Sequence, residues 1–159
     1  MADTRPLPHA GVHFPPPLIY AAGVAAGWGL DRWHPLPITA GASPVRLAAA
    51  AAGGLLWLAI FLSAAIAFRR ARTTLIPNRP AAAIVSTGPY RFTRNPMYVS
   101  MAALYLGVAL LANTWWALLF LPIVIIVVDR AVIAREERYL ASAFPDEYGA
   151  YARRVRRWL

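Results

Sequence analysis

Two short stretches carry most of the side chains that could do chemistry. Residues 87–100 read TGPYRFTRNPMYVS, with Arg91 and Arg94 between Pro89 and Pro96, and Tyr90 and Tyr98 alongside. Further on, AREERYL sets two adjacent carboxylates, Glu136 and Glu137, between Arg135 and Arg138. Guanidinium groups and the N–H groups at a helix start bind a carboxylate or a phosphate. Paired carboxylates take an ammonium, ribose hydroxyls or the field of a sulfonium. Tyr90, Tyr98, Tyr148 and Tyr151 offer rings on which a purine can stack. Together these parts suit a zwitterionic, nucleoside-containing ligand without identifying it. The sequence has no cysteine, which excludes a thiolate zinc site, a cysteine nucleophile and a disulfide framework. His9, His13 and His34 stand apart from the acids, so no metal site is expected.

These residues must be positioned by a mostly apolar chain. It is 59% hydrophobic and 14% charged, against about 25% charged for a soluble domain, and its mean hydropathy is +0.48. The net charge of +9 comes entirely from arginines that flank apolar runs. That arrangement fits membrane topology and anionic headgroups, and no nucleic-acid partner is expected. Candidate transmembrane helices cover 15–30, 45–68, 97–112 and 115–133. The second is about 36 Å long and the first only about 24 Å, against a hydrocarbon core of about 30 Å. The N-terminal 14 residues form a polar, proline-bearing lead without the pattern of a cleaved signal peptide. Asn113 and Thr114 make a tight turn, with Thr114 capping the next helix.

The fold expected is all-α and integral to the membrane, a single membrane domain spanning 1–159. The fourth helix runs on past Asp129 into water without a breaker before Pro145. The segment 146–159 is expected to be a basic amphipathic helix on the headgroups. Arginine counts put the 2–3 connection and the C-terminal part on the cytoplasmic side, with both termini cytoplasmic in an inner membrane. Segments 82–98 and 130–159 then lie on one face, joined by a helical hairpin, and can build a pocket. Other duties are open to the same residues. Trp115 and Trp116 fit an interfacial belt, Tyr148 and Tyr151 the pinning of the terminal helix, and Arg153, Arg154, Arg156 and Arg157 headgroup contacts.

Gly88-Pro89-Tyr90, Arg94-Asn95-Pro96-Met97-Tyr98, Glu136-Glu137, Phe144, Glu147-Tyr148, Tyr151 and Val155 occur in an order that resembles the isoprenylcysteine carboxyl methyltransferase family. Phospholipid N-methyltransferases share related features. The resemblance covers 82–159, about half of the chain. It implies S-adenosylmethionine as cofactor and methyl transfer to a lipophilic acceptor, either the carboxylate of a prenylcysteine-like substrate or a lipid amine. Carried over, the cofactor contacts are Ala82, Ala83, Ile84, Val85, Tyr90, Asn95, Pro96, Met97, Tyr98, Glu136 and Glu137, with Arg94, Asn95 and Glu136 catalytic. Asn95 stands where eukaryotic members usually have histidine. Val132 stands where they have a substrate-contacting arginine, a role left to Arg130 or Arg135. Membrane sterol reductases, which bind NADPH, resemble the chain in the Arg94-x-Pro96-x-Tyr98 corner but use more spans. A non-catalytic adaptor whose basic face binds anionic lipid or a partner is the third reading.

Overall fold

The structure, a computed structural model, describes residues 11–12, 15–73 and 81–159. Arg5, His9, His13, most of the polar N-terminal lead, Pro77, Arg79 and Pro80 lie outside the described residues. Helix is the regular structure throughout the described residues: α1 (Pro16–Trp33), α2 (Pro44–Arg70), α3 (Pro96–Ala112), α4 (Trp115–Val128), α5 (Ala134–Ala143) and α6 (Pro145–Arg154). A 3-10 turn covers Gly88–Arg91 and a π-helical turn covers Asp129–Ile133. Two helices, Pro44–Arg70 and the continuous run Trp115–Ala143, are long and apolar enough to cross a bilayer, with 11% and 33% of their apolar windows buried inside the protein. A soluble core helix hides its apolar surface. Here Leu55, Leu56, Leu62 and Ile66 of α2 stay exposed, as lipid-facing side chains do.

The chain divides into two compact units. One comprises 14–61 and 97–128. Within it α1 lies against α4 and α2 against α3, each pair brought close by glycine. A Cβ on Gly27 would fall 2.5 Å from the Cα of Ala117, and one on Gly53 would fall 2.9 Å from the carbonyl oxygen of Ala103. Small residues at such crossings replace the hydrophobic drive that lipid cannot supply. Buried Tyr105 donates to the Ala117 carbonyl at 2.8 Å, and Tyr20 to the Tyr98 carbonyl at 3.0 Å. Asn113 takes the left-handed conformation (φ 55°) that the tight turn requires, and its amide bonds both the N–H and the carbonyl of Thr39. Thr114 accepts from the Trp116 N–H at 3.2 Å, the expected cap, and also donates to Asp31 at 2.7 Å. The Trp116 indole donates to the His34 carbonyl at 2.7 Å, while Trp115 is exposed.

The other unit comprises 1–13, 62–96 and 129–159. Two features depart from the sequence expectation. The helix that follows Trp115 is unbroken to Ala143, but it changes to π geometry at Asp129–Ile133. The C-terminal helix ends at Arg154 rather than running to Leu159. Val155 is extended (φ −122°, ψ 132°), and Arg156 makes a parallel bridge with Thr93, its carbonyl accepting from the Arg94 N–H at 2.8 Å. The tail leaves the helix because its backbone finds partners in the 93–95 loop.

Candidate functional site

Local chemistry shapes the loop before α3. Gly88 adopts φ +61°, a conformation that only glycine takes without strain, and stands over Ser63 and Ala67 of α2. Pro89 then opens the 3-10 turn, and Pro96 opens α3. Tyr90, buried in this turn, packs its ring on Phe68 at 5.4 Å between centroids, and its carbonyl accepts from the Tyr151 hydroxyl at 2.8 Å. Burial drives the Tyr90 phenol far above the ordinary tyrosine value, with the neighbouring Tyr151 and Glu136 adding to the rise. Glu136 therefore lies within the electrostatic reach of Tyr90, on α5 and half-buried.

Arg94, Asn95 and Glu137 come together. Arg94 Nη1 lies 3.2 Å from Glu137 Oε1 and 3.2 Å from the Tyr148 hydroxyl, with side-chain exposures of 16% for Arg94 and 15% for Glu137. The Arg94 guanidinium also lies 6.0 Å from the Tyr148 ring centroid. Burial, then the charge of Glu137, push the Tyr148 phenol up to about 12 against the opposing pull of Arg94. Arg94 Nε is buried and finds no hydrogen-bond acceptor among the described residues. A buried guanidinium donor left without a partner is costly, and an anion is what it would accept. Asn95 makes two bonds to its surroundings: its N–H donates to Thr93 Oγ1 at 3.1 Å, and its Nδ2 donates to the Arg157 carbonyl at 2.9 Å.

The remaining expected site residues are more dispersed. The Ala82 N–H donates to Thr73 Oγ1 at 2.9 Å, Val85 is buried, and Ala83 and Ile84 are half-buried. Pro96 is buried at the start of α3, whereas Met97 and Tyr98 belong to the other unit. Arg130 has an 83% exposed side chain, 3.9 Å from Asp129. Arg135 donates to the Gly11 carbonyl at 3.0 Å. Val132 is 1% exposed in the π turn.

Sequence reasoning missed Thr93, Asp129, Tyr139, Arg157 and Trp158. Tyr139 accepts from the Ala81 N–H at 2.9 Å and so ties α5 to the start of the 82–85 segment. Arg157 bonds Glu137 and Asp129, and the Trp158 indole donates to Asp129 at 3.0 Å. The one legible signal was the isolated acid Asp129 at the end of an apolar span, where an unpaired charge is costly. Nothing in the RRVRR run marks Arg157 apart from its neighbours. Among the described residues no three of His, Asp and Glu group as metal ligands.

The profile of a family described as phospholipid methyltransferase matches residues 45–147. The cobalt-zinc-cadmium resistance protein CzcN of Cupriavidus metallidurans is 34% identical over 133 residues, which are 80% of this chain and 53% of that protein. The chain thus spans about half the length of CzcN. An uncharacterized protein of Haemophilus influenzae is 44% identical over 63 residues, 40% of this chain and 100% of that protein. No solved structure matches significantly.

Proposed function

The chain belongs to the phospholipid methyltransferase family, and from that premise we propose that it transfers a methyl group from S-adenosylmethionine to a lipid-borne amine at the cytoplasmic face of a membrane. The carrying observation is the family match over 45–147, which contains the clustered Arg94, Asn95 and Glu137. A membrane methyltransferase also accounts for apolar helices that stay exposed. The proposed topology is a single membrane domain of four spans, 15–30, 45–68, 97–112 and 115–133, with 82–98 and 130–159 cytoplasmic.

S-adenosylmethionine supplies a methyl already activated on a sulfonium. The residues present fit it at one informative point, the buried Arg94 Nε donor, which suits the cofactor's carboxylate. In this reading Arg94 binds that carboxylate and Asn95 holds the loop to the tail. The N–H groups of Ala83, Ile84 and Val85 face a nucleoside, and Glu136 takes the ammonium or the ribose hydroxyls. The chain's work is orientation and exclusion of water.

The acceptor is argued from the positions that would bind an acid. Val132 is buried, Arg135 is held by the Gly11 carbonyl and Arg130 is exposed. None provides the seated arginine that a carboxylate acceptor calls for. An amine must lose a proton before it attacks. The buried tyrosines are held neutral and Glu136 is engaged by the cofactor in this reading, so a water is the candidate to receive it.

The test uses purified protein in detergent or in vesicles. Binding of S-adenosylmethionine is compared with binding of NADPH, then labelled methyl is followed into phosphatidylethanolamine and into a prenylcysteine analogue. Binding of the sulfonium with label in the amine lipid is expected. NADPH binding alone supports the reductase, label in the prenylcysteine moves the acceptor to a carboxylate, and no nucleoside binding leaves the adaptor.

A further inference from the structure

Arg157 lies beyond the residues 45–147 shared with the family. It closes a run in which Arg153, Arg154 and Arg156 are exposed, as headgroup-binding arginines are. Arg157 is placed differently. Its carbonyl accepts from Thr93 Oγ1 at 3.0 Å and from Asn95 Nδ2 at 2.9 Å, which fixes the tail on the loop that carries Arg94. Its guanidinium meets Glu137 side-on, Nε to Oε1 at 3.2 Å and Nη2 to Oε2. Its Nη1 lies 3.4 Å from Asp129 Oδ2, and Asp129 Oδ1 is held by the Trp158 indole.

Glu137 thus serves two cations. Arg157 occupies both of its oxygens, so Arg94 reaches it through Nη1 alone and keeps Nε without an acceptor. A carboxylate released from Arg157 would be free to swing from Nη1 to the Nε/Nη2 edge of Arg94 and take it there at two points, the side-on geometry that Arg157 now uses. That would occupy the Nε donor and neutralise its charge. We propose that Arg157 is a positioning residue, which holds Glu137 off Arg94 so that Arg94 keeps a donor for the carboxylate of the methyl donor's amino-acid end. The inference rests on the methyltransferase reading above.

The experiment is calorimetry in detergent with two probes, S-adenosylhomocysteine, which carries the amino-acid end, and 5′-methylthioadenosine, which lacks it. Arg157→Gln should weaken the first roughly ten-fold, the worth of about one charge-assisted hydrogen bond, and leave the second within about two-fold. Arg157→Lys, a point charge without the fork, should fall between wild type and Arg157→Gln and covers the case in which the glutamine variant does not fold. Adding Glu137→Gln to Arg157→Gln should restore most of the lost affinity, because the competing carboxylate is gone. Equal weakening of both probes means a merely structural tail and overturns the inference. So does unchanged binding of both, or failure of the double variant to recover. If wild type binds neither probe, the methyltransferase reading fails and takes the inference with it, an outcome distinct from a wild type that binds and a variant that does likewise.

Discussion

At the scale of single residues, the adjacent carboxylates have different surroundings. Glu137 is bonded to Arg94 and Arg157, whereas Glu136 shares the neighbourhood of Tyr90. Glu136→Ala should weaken S-adenosylmethionine binding about ten-fold or more, the equivalent of a charged hydrogen bond, while the protein still unfolds cooperatively. Calorimetry beside thermal unfolding checks it, and unaltered affinity removes Glu136 from the site. The tyrosines make a pH prediction. An unfolded tyrosine loses its proton near pH 10, while folded Tyr148 holds it up to about 12. Above pH 10 the unfolded state binds fewer protons than the native one, so stability falls as pH rises. Stability should thus be level below pH 10 and decline toward about 12. Tyr148→Phe should make that decline shallower, as read from unfolding midpoints across the alkaline range, and an identical slope would contradict it.

At the scale of elements, the π turn is the informative departure. Asp129 and Glu137 are eight positions apart and both hold Arg157. In a regular α-helix that separation is about 2.2 turns, which leaves the two carboxylates on different faces. A π turn spends one extra residue, so the separation acts as about seven and the carboxylates come into line. Inserting one alanine beside exposed Ala131 should add a residue to that separation and swing Asp129 by about 100° relative to Glu137. Losing its hold on Arg157 and Trp158 should then cost about 2 kcal/mol. Ala131→Ser, which keeps the length, should stay within about 0.5 kcal/mol. Thermal unfolding of the two variants decides, and equal midpoints would mean that the turn does not set this alignment.

At the scale of the whole molecule, the exposed apolar flanks of α2 and of Trp115–Ala143 need lipid as solvent. The natural absence of cysteine makes the topology directly measurable. In intact cells a single Ala42→Cys should react with an impermeant maleimide. A single Ala141→Cys should react only after the membrane is opened. Labelling of both from outside would refute a cytoplasmic α5.

Composition and apolar run length were enough to place the helices, because burial of backbone polar groups in lipid leaves helix as the local solution whatever packs beside it. The observed bounds of α2 and α3 differ from 45–68 and 97–112 by one or two residues. Capping by Thr114 and the proline starts were legible for the same reason, since each is settled within one turn of chain. That 82–98 and 130–159 would be neighbours was expected from a resemblance and a hairpin. The partner that shares Glu137 was not. Arg157 is one of sixteen arginines with identical chemistry, and the pairing of Thr93 with Arg156, together with the Thr93 and Asn95 side chains on the Arg157 carbonyl, brings it to the carboxylates. Tertiary structure decided that role, because an ion pair depends on distance through space, and a sequence records distance only along the chain.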